Sequence, residues 1–169
     1  YGQACVAAFP FGGMENISAT TLTDTTLGDE RSQRDGGSEG LVAHEAAHQW
    51  FGNLLTCADW SHIWLNEGFA TYLGALWTEH AEGAEEYRAQ LRRMQEAALA
   101  GDSGANRRPM VWNVYRQPMD LFFTGHAYQG GAARLHLMRC VLGDEAFFRG
   151  LELYTGRNQG RSVVTADLR

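Results

Sequence analysis

Fourteen arginines, no lysine and a net charge of −6 over 169 residues leave no basic cluster for phosphate, so nucleic acid is excluded as a partner. The missing lysine also removes lysine-based nucleophiles from this segment. With 44% apolar residues the chain has material for about one core, and no apolar run approaches the roughly 20 residues of a membrane span.

In chain order, the first 25 residues are rich in Val, Ala, Phe and Thr and are broken by Pro10 and Gly12-Gly13, which predicts strands with a tight feature between them. The stretch Gly28 to Gly37 is polar and charged and reads as a loop. Ser38 and Glu39 then introduce a helix over about Leu41 to Phe51. Its apolar residues lie nearly all round, with Leu41, Ala47 and Phe51 on one side and Val42, Ala46 and Trp50 behind, so it is expected to be a buried central helix. A second helix runs to about Glu79. Its stripe of Leu65, Phe69, Tyr72, Leu73 and Leu76 has core spacing, and Glu67, Ala70, Thr71 and Gly74 lie opposite. A third helix is predicted over about Ala84 to Ala100, with Tyr87, Leu91, Met94 and Ala98 inward and Gly101 after its end. Periodicity then fails from Asp102 to Asp120, and a loop of that length is usually functional or mobile. Two further helices follow, about Ala127 to Leu142 and Glu145 to Thr155.

The helix over Leu41 to Phe51 carries His44, Glu45 and His48 in the pattern His-Glu-x-x-His, and Glu67 follows after 18 intervening residues. At this chain's frequencies of His and Glu, the first pattern is expected by chance about 0.015 times. Two histidines four apart on a helix sit about 40° from each other and about 6 Å along the axis, so both imidazoles can converge on one ion. Glu45 points about 100° away, beside a metal and its water, which suits a base better than a ligand. A catalytic zinc keeps three protein ligands and an open fourth position, so another donor is needed, and Glu67 is the natural candidate. Small residues around Glu67 would let that helix approach the histidine helix closely. The expected chemistry is that of a zinc hydrolase with one ion.

Phe11-Gly12-Gly13-Met14-Glu15-Asn16, His-Glu-Ala-Ala-His-Gln-Trp-Phe-Gly-Asn from His44, and Trp-Leu-Asn-Glu-Gly-Phe-Ala-Thr-Tyr from Trp64 together resemble the zinc aminopeptidases of the aminopeptidase N type. The similarity runs over the whole chain. It implies an α+β, helix-dominated fold, part of a thermolysin-like metallopeptidase catalytic domain. Residues 1–27 would form its strand-rich edge and residues 38–169 its helical zinc-binding part. The resemblance assigns His44, His48 and Glu67 to the metal, Glu45 to general base catalysis, and Gly12, Gly13, Met14, Glu15 and Asn16 to a substrate-binding strand edge. Glu15 would anchor the free amino group of a peptide, and Met14 would line the pocket for its first side chain. A cationic amine held at a fixed distance from the metal calls for a carboxylate beside open backbone groups. The family's tyrosine, in a Tyr-x-Lys-Gly pattern, corresponds to Tyr128, with Gly130 where that pattern has Lys. Its hydroxyl would stabilise the developing oxyanion.

The implied activity is removal of the N-terminal residue from peptides with a free amino end. The alternatives are a thermolysin-type endopeptidase, an epoxide hydrolase of the leukotriene hydrolase branch, and a non-catalytic scaffold. Glu15 in its Gly-Gly-Met-Glu-Asn setting argues against the first, and an intact set of ligands and base against the last. The chain is expected to be a piece of a longer polypeptide whose amino-terminal β domain and helical carboxy-terminal region lie elsewhere. Cytoplasmic location is the default expectation. Cys5, Cys57 and Cys140 are odd in number and widely spaced, hence free and mostly buried. Trp50, Trp60, Trp64 and Trp77 are expected in the core. His62, His80, His126 and His136 lack ligand spacing and read as surface or hydrogen-bonded residues, with His126 nearest the cleft.

Overall fold

The computed structural model describes residues 1–29, 31 and 37–169, so the loop expected over Gly28 to Gly37 lies largely outside the described residues. Helices dominate: α1 (Glu39–Ala47), α2 (Trp64–Ala81), α3 (Ala84–Gly101), α4 (Gly131–Leu142) and α5 (Asp144–Asn158). A small sheet stands at the amino-terminal edge in the order β1 (Gly2–Val6), β3 (Ala19–Thr23), β2 (Gly13–Met14), with β1 parallel and β2 antiparallel to β3. A second, short pairing joins β4 (Thr56–Cys57) to β5 (Ser162–Val163) in parallel. The architecture is α+β and helix-dominated, as the sequence predicts.

The central helix is α2. Leu65, Phe69 and Tyr72 are buried as their stripe requires, and Glu67, Ala70 and Gly74 on the other side are buried too. Small residues mark the two faces on which this helix takes its close neighbours, and at Gly68 only a glycine fits. A Cβ on Gly74 would stand 3.6 Å from the Gly40 carbonyl and 3.8 Å from the His44 nitrogen of α1. On another face, a Cβ on Gly68 would lie 2.8 Å from the Gly131 Cα at the start of α4. Behind α2, stacked Phe51 and Phe69 (ring centroids 4.3 Å apart) and the edge-to-face pair Tyr72 and Phe147 knit α2 to the rest of the core.

The expectation of a buried, central histidine helix reaching Phe51 is corrected. Helix α1 ends at Ala47, because Gln49 and Trp50 donate to carbonyls only three residues back and Gly52 then turns the chain at φ 144°. It packs on α2 and β2, and Val42, Ala43 and Ala46 stay half-buried. Of the four tryptophans expected in the core, only Trp64 is there. Trp50, Trp60 and Trp77 are 55%, 46% and 43% exposed. Trp77 reaches Glu39 with its indole N–H, and Trp60 faces a cleft, uses for which an amphipathic ring is suited. The cysteines are free, but Cys5 on the outer strand and Cys140 on α4 are exposed and Cys57 is half-buried. The helix predicted from Ala127 begins as a π-helical turn, His126–Gly130, that runs into α4.

Replacing Gly68 by Ala should destabilise the full-length protein by about 1–3 kcal/mol, because the added methyl meets backbone that cannot move aside. A Cβ on Gly150 of α5 would meet nothing within 4 Å. Gly150→Ala should therefore stabilise slightly, by up to about 1 kcal/mol. Urea midpoints of the two variants against the parent check both signs.

Candidate metal centre and substrate cleft

His44 and His48 lie at the end of α1, Glu67 lies in the first turn of α2, and the glycine-spaced approach of the helices brings the three together. His44 Nε2 and His48 Nε2 are 3.0 Å apart, and Glu67 Oε2 is 3.2 Å from the first and 3.3 Å from the second. His48 Nδ1 donates to the Phe51 carbonyl at 2.9 Å, which turns the Nε2 lone pair of a neutral ring toward the other two atoms. Glu67 Oε2 is buried and has no hydrogen-bond partner of good geometry.

Three lone-pair atoms facing one another repel unless a cation lies among them. Their separations match the edges, about 3.3 Å, of a tetrahedron whose corners lie about 2.0–2.1 Å from a zinc ion. Two imidazoles and a carboxylate are also a donor set that suits zinc. Burial alone would raise the Glu67 carboxyl, yet the two imidazoles hold it down to about 2. Burial alone would lower His48, yet Glu67 lifts it to about 9. The site thus demands positive charge from whatever occupies it.

Glu45 stands beside this triangle. Its carboxyl is buried and Oε2 has no hydrogen-bond partner, and burial pushes it up to about 7, against the lowering field of His48 and with Glu15 and Glu67 adding to the rise. Residue 13 must be glycine, since a Cβ there would run into the Glu45 carboxylate. Gly12 lies almost as close to α1, where a Cβ would be 3.3 Å from Leu41 Cδ1. The two glycines let the open edge of β2 lean directly on the histidine helix.

Past that edge, Glu15 brings Oε1 to 4.0 Å from His48 Nδ1. Its backbone carbonyl accepts from Asn53 Nδ2 at 2.7 Å and from Gln49 Nε2 at 3.4 Å, while Gln49 Oε1 accepts from the Ser18 nitrogen. Gln49 and Asn53, which the sequence pattern does not single out, thereby tie the Glu15 segment to the end of the histidine helix. The available signal was two amides within an otherwise apolar run directly after the motif. Asn16, expected at the substrate-binding edge, is exposed, donates to Thr21 Oγ1 at 2.9 Å and does not line the cleft. Met14 is 41% exposed and lines the cleft.

Tyr128 projects from the π-helical turn and stacks on His44, with ring centroids 6.0 Å apart and planes 20° apart. Burial and the nearby Glu67 charge push its phenol upward, so it remains a donor. Met14, Glu15, His44, Glu45, His48, Glu67 and Tyr128 border one cleft of ≈ 1050 Å³, whose apolar walls include Phe11, Trp60, Met119, Phe122 and Phe123. Met119 comes from the long loop, as expected for a pocket wall; the aromatic pair after it was not anticipated. Of the other histidines, His62 bonds Thr165, His136 meets Tyr87 and Cys140, His80 is exposed, and His126 is buried beside Tyr128's turn.

The model of the peptidase family M1 domain matches residues 1–169. The chain belongs to this family. Aminopeptidase M1-C of Oryza sativa subsp. japonica is 33% identical over 98% of this M1 chain, which spans 20% of that relative. Leucine aminopeptidase 2 of Eremothecium gossypii is 33% identical over 95% of the chain, which spans 26% of it. Native yeast LTA4 hydrolase superposes with a TM-score of 0.86 at 27% identity, covering 99% of this chain and 27% of that one. An M1 zinc metallopeptidase of Deinococcus radiodurans, solved with a Tyr-Ser-Ala substrate, gives 0.76 at 32% identity, covering 99% of this chain and 34% of that one. The chain thus spans a fifth to a quarter of the curated relatives it matches, and about a quarter to a third of these structures. Among the described residues no helix is long and apolar enough to cross a membrane.

The full-length M1 protein should hold about one zinc ion per chain. Elemental analysis should show that content falling to background in His48→Ala and Glu67→Ala. Adding zinc to the metal-stripped protein should raise its melting temperature, because the ion binds only the folded state.

Proposed function

We propose that this chain is part of the catalytic domain of a zinc aminopeptidase that removes the N-terminal residue from peptides. The observation that carries the reading is the placing of Glu15 and the metal triangle in one cleft, with Glu15 Oε1 4.0 Å from His48. A carboxylate beside an open strand edge receives a cationic α-amine, and the strand's free backbone groups hold the peptide extended. With the amine fixed there, the first peptide bond is the one that falls at the metal. One residue is then released per turnover.

His44, His48 and Glu67 would hold the zinc ion, which supplies an activated water and polarises a carbonyl. Glu45 takes a proton from the attacking water and returns it to the departing amine nitrogen. A carboxyl raised toward neutrality by burial is matched to both transfers. Tyr128 donates to the carbonyl oxygen as charge gathers there, a contribution typically worth about 3–4 kcal/mol. Further domains of the same polypeptide would complete the pocket, in keeping with the small share of each relative that the chain spans.

The likeness to yeast LTA4 hydrolase, together with the apolar walls of the cleft, supports a second reading, an epoxide hydrolase acting on a lipid. Its identity to the chain is lower than that of the Deinococcus radiodurans metallopeptidase, which was solved with a peptide.

The deciding experiment offers the full-length protein free and N-acetylated aminoacyl-arylamides alongside a lipid epoxide. Cleavage confined to free-amino substrates is expected; turnover of the epoxide alone would transfer the assignment. Glu45→Gln should keep its zinc and lose about 10³-fold or more in kcat. Wild-type turnover by that variant would remove Glu45 from the mechanism. Asn53→Ala should loosen Glu15 and raise KM for free-amino substrates about tenfold with a smaller change in kcat, read from steady-state kinetics.

A further inference from the structure

We infer that His126 is a positioning residue for Tyr128, a strut between the π-helical turn and the end of α3, and this rests on the proposed role of Tyr128. The ring of His126 is 4% exposed and engages protein at both nitrogens. Nε2 meets Asp102 Oδ1 at 3.1 Å, and Nδ1 meets the Thr124 carbonyl at 3.1 Å. Both partners are acceptors, so either ring nitrogen finds a place for its proton and the imidazole links the end of α3 to the start of the turn.

What lies at the far end of the strut is itself fixed. Asp102 is the first residue beyond α3, and its Oδ1 also accepts from the Arg108 backbone nitrogen at 3.1 Å. Arg108 Nη2 donates to Thr124 Oγ1 at 2.8 Å, and its guanidinium lies over the Trp112 ring. The chain leaving α3 is therefore folded back onto the segment that leads into Tyr128. Two glycines allow the close approach: a Cβ on Gly101 would run into the Thr124 carbonyl, and Gly125 adopts φ 73°.

The turn needs such support because of how it is built. A π-helical turn has poorer backbone geometry than an α-helix and persists where surroundings hold it. On one side α2 does so, since a Cβ on Gly68 would stand 3.1 Å from the Ala127 carbonyl and closer to Gly131. On the other side the contact is His126. Arg134 holds the far end of the turn through the Gly130 carbonyl, and His126 ties its near end to Asp102; without His126 the near end is freed, and the Tyr128 ring would slide on His44. Displacing a donor from a developing oxyanion weakens the transition state without weakening ground-state binding.

The test uses the full-length protein and steady-state kinetics on a free-amino arylamide, with zinc content and circular dichroism as controls. His126→Ala and Asp102→Ala should each lower kcat about ten- to a hundredfold with KM within about twofold of the parent. Tyr128→Phe should lose about 10²–10³ in kcat. In that background His126→Ala should cost no more than about a further twofold, since the group it positions is gone. Asp102→Asn, which keeps the acceptor oxygen, should recover most of what Asp102→Ala loses. An equal penalty for His126→Ala with and without the Tyr128 hydroxyl, a loss of zinc, or an effect on KM alone would overturn the inference. If the buried His126→Ala variant fails to fold, Asp102→Ala and Asp102→Asn in both Tyr128 backgrounds decide the question in the same way, since that side chain is 34% exposed. A Tyr128→Phe variant of parental kcat would instead strike down the Tyr128 role itself, and the strut with it.

Discussion

A carboxylate in the buried first half of α2 governs this structure. Glu67 is 6% exposed within α2, and a buried charge left unpaired would cost several kcal/mol. Its compensation comes from outside its own helix, from two imidazoles on α1, whose backbone lies within van der Waals reach of a Cβ on Gly74 of α2. The imidazoles bring the same difficulty back, because two neutral rings and one carboxylate present lone pairs to one another. A cation resolves it for all three at once. Packing and the convergence of these three side chains are thus one requirement, and a change that spreads α1 from α2 disturbs both.

The same economy of backbone separation recurs around the cleft. Gly13 against Glu45, Gly68 against Gly131 and Gly101 against Thr124 are each places where a single methyl would force neighbouring elements apart. These approaches set β2, the π-helical turn and α3 at fixed distances from α2 and α1. The cleft's polar groups therefore come from separate segments, Glu15 after β2, Glu45 on α1 and Tyr128 on the turn, and their spacing is set by how these segments pack. That is what a site needs if its donors must stay within a fraction of an ångström of where charge develops.

Legibility from the sequence follows the same division. The metal triangle could be anticipated because helix geometry alone brings residues four apart onto one face, and the strict stripe of Leu65, Phe69 and Tyr72 announced a buried α2. The centrality of α2 over α1 could not, since α1 is apolar nearly all round and only the tertiary path of the chain decides which helix is enclosed. Tryptophans misled for a related reason: hydrophobic identity says that a ring prefers cover, not that an element is there to provide it, and Trp50 and Trp60 lie where α1 has ended or the cleft begins. The amides of Gln49 and Asn53 and the His126 to Asp102 pair were invisible because their partners lie 24 to 38 residues away. Contacts of that range depend on the tertiary path of the chain and leave no periodic trace.

Gly130 shows how a departure from a familiar pattern can be local rather than functional. The space beside it is already filled: a Cβ there would be 3.3 Å from Arg134 Nη1, 3.3 Å from the Gly125 carbonyl and 3.5 Å from the Met110 methyl. Arg134, one turn along α4, donates from the same Nη1 to the Gly130 carbonyl at 2.9 Å. A side chain at position 130 and the guanidinium of Arg134 would compete for one volume, so glycine at the first position and arginine at the second form a matched pair. Positive charge is retained next to the turn that carries Tyr128, delivered from α4 instead of from the turn. Arg134 thus braces one end of the turn and His126 holds the other, with the Tyr128 ring between them stacked on His44.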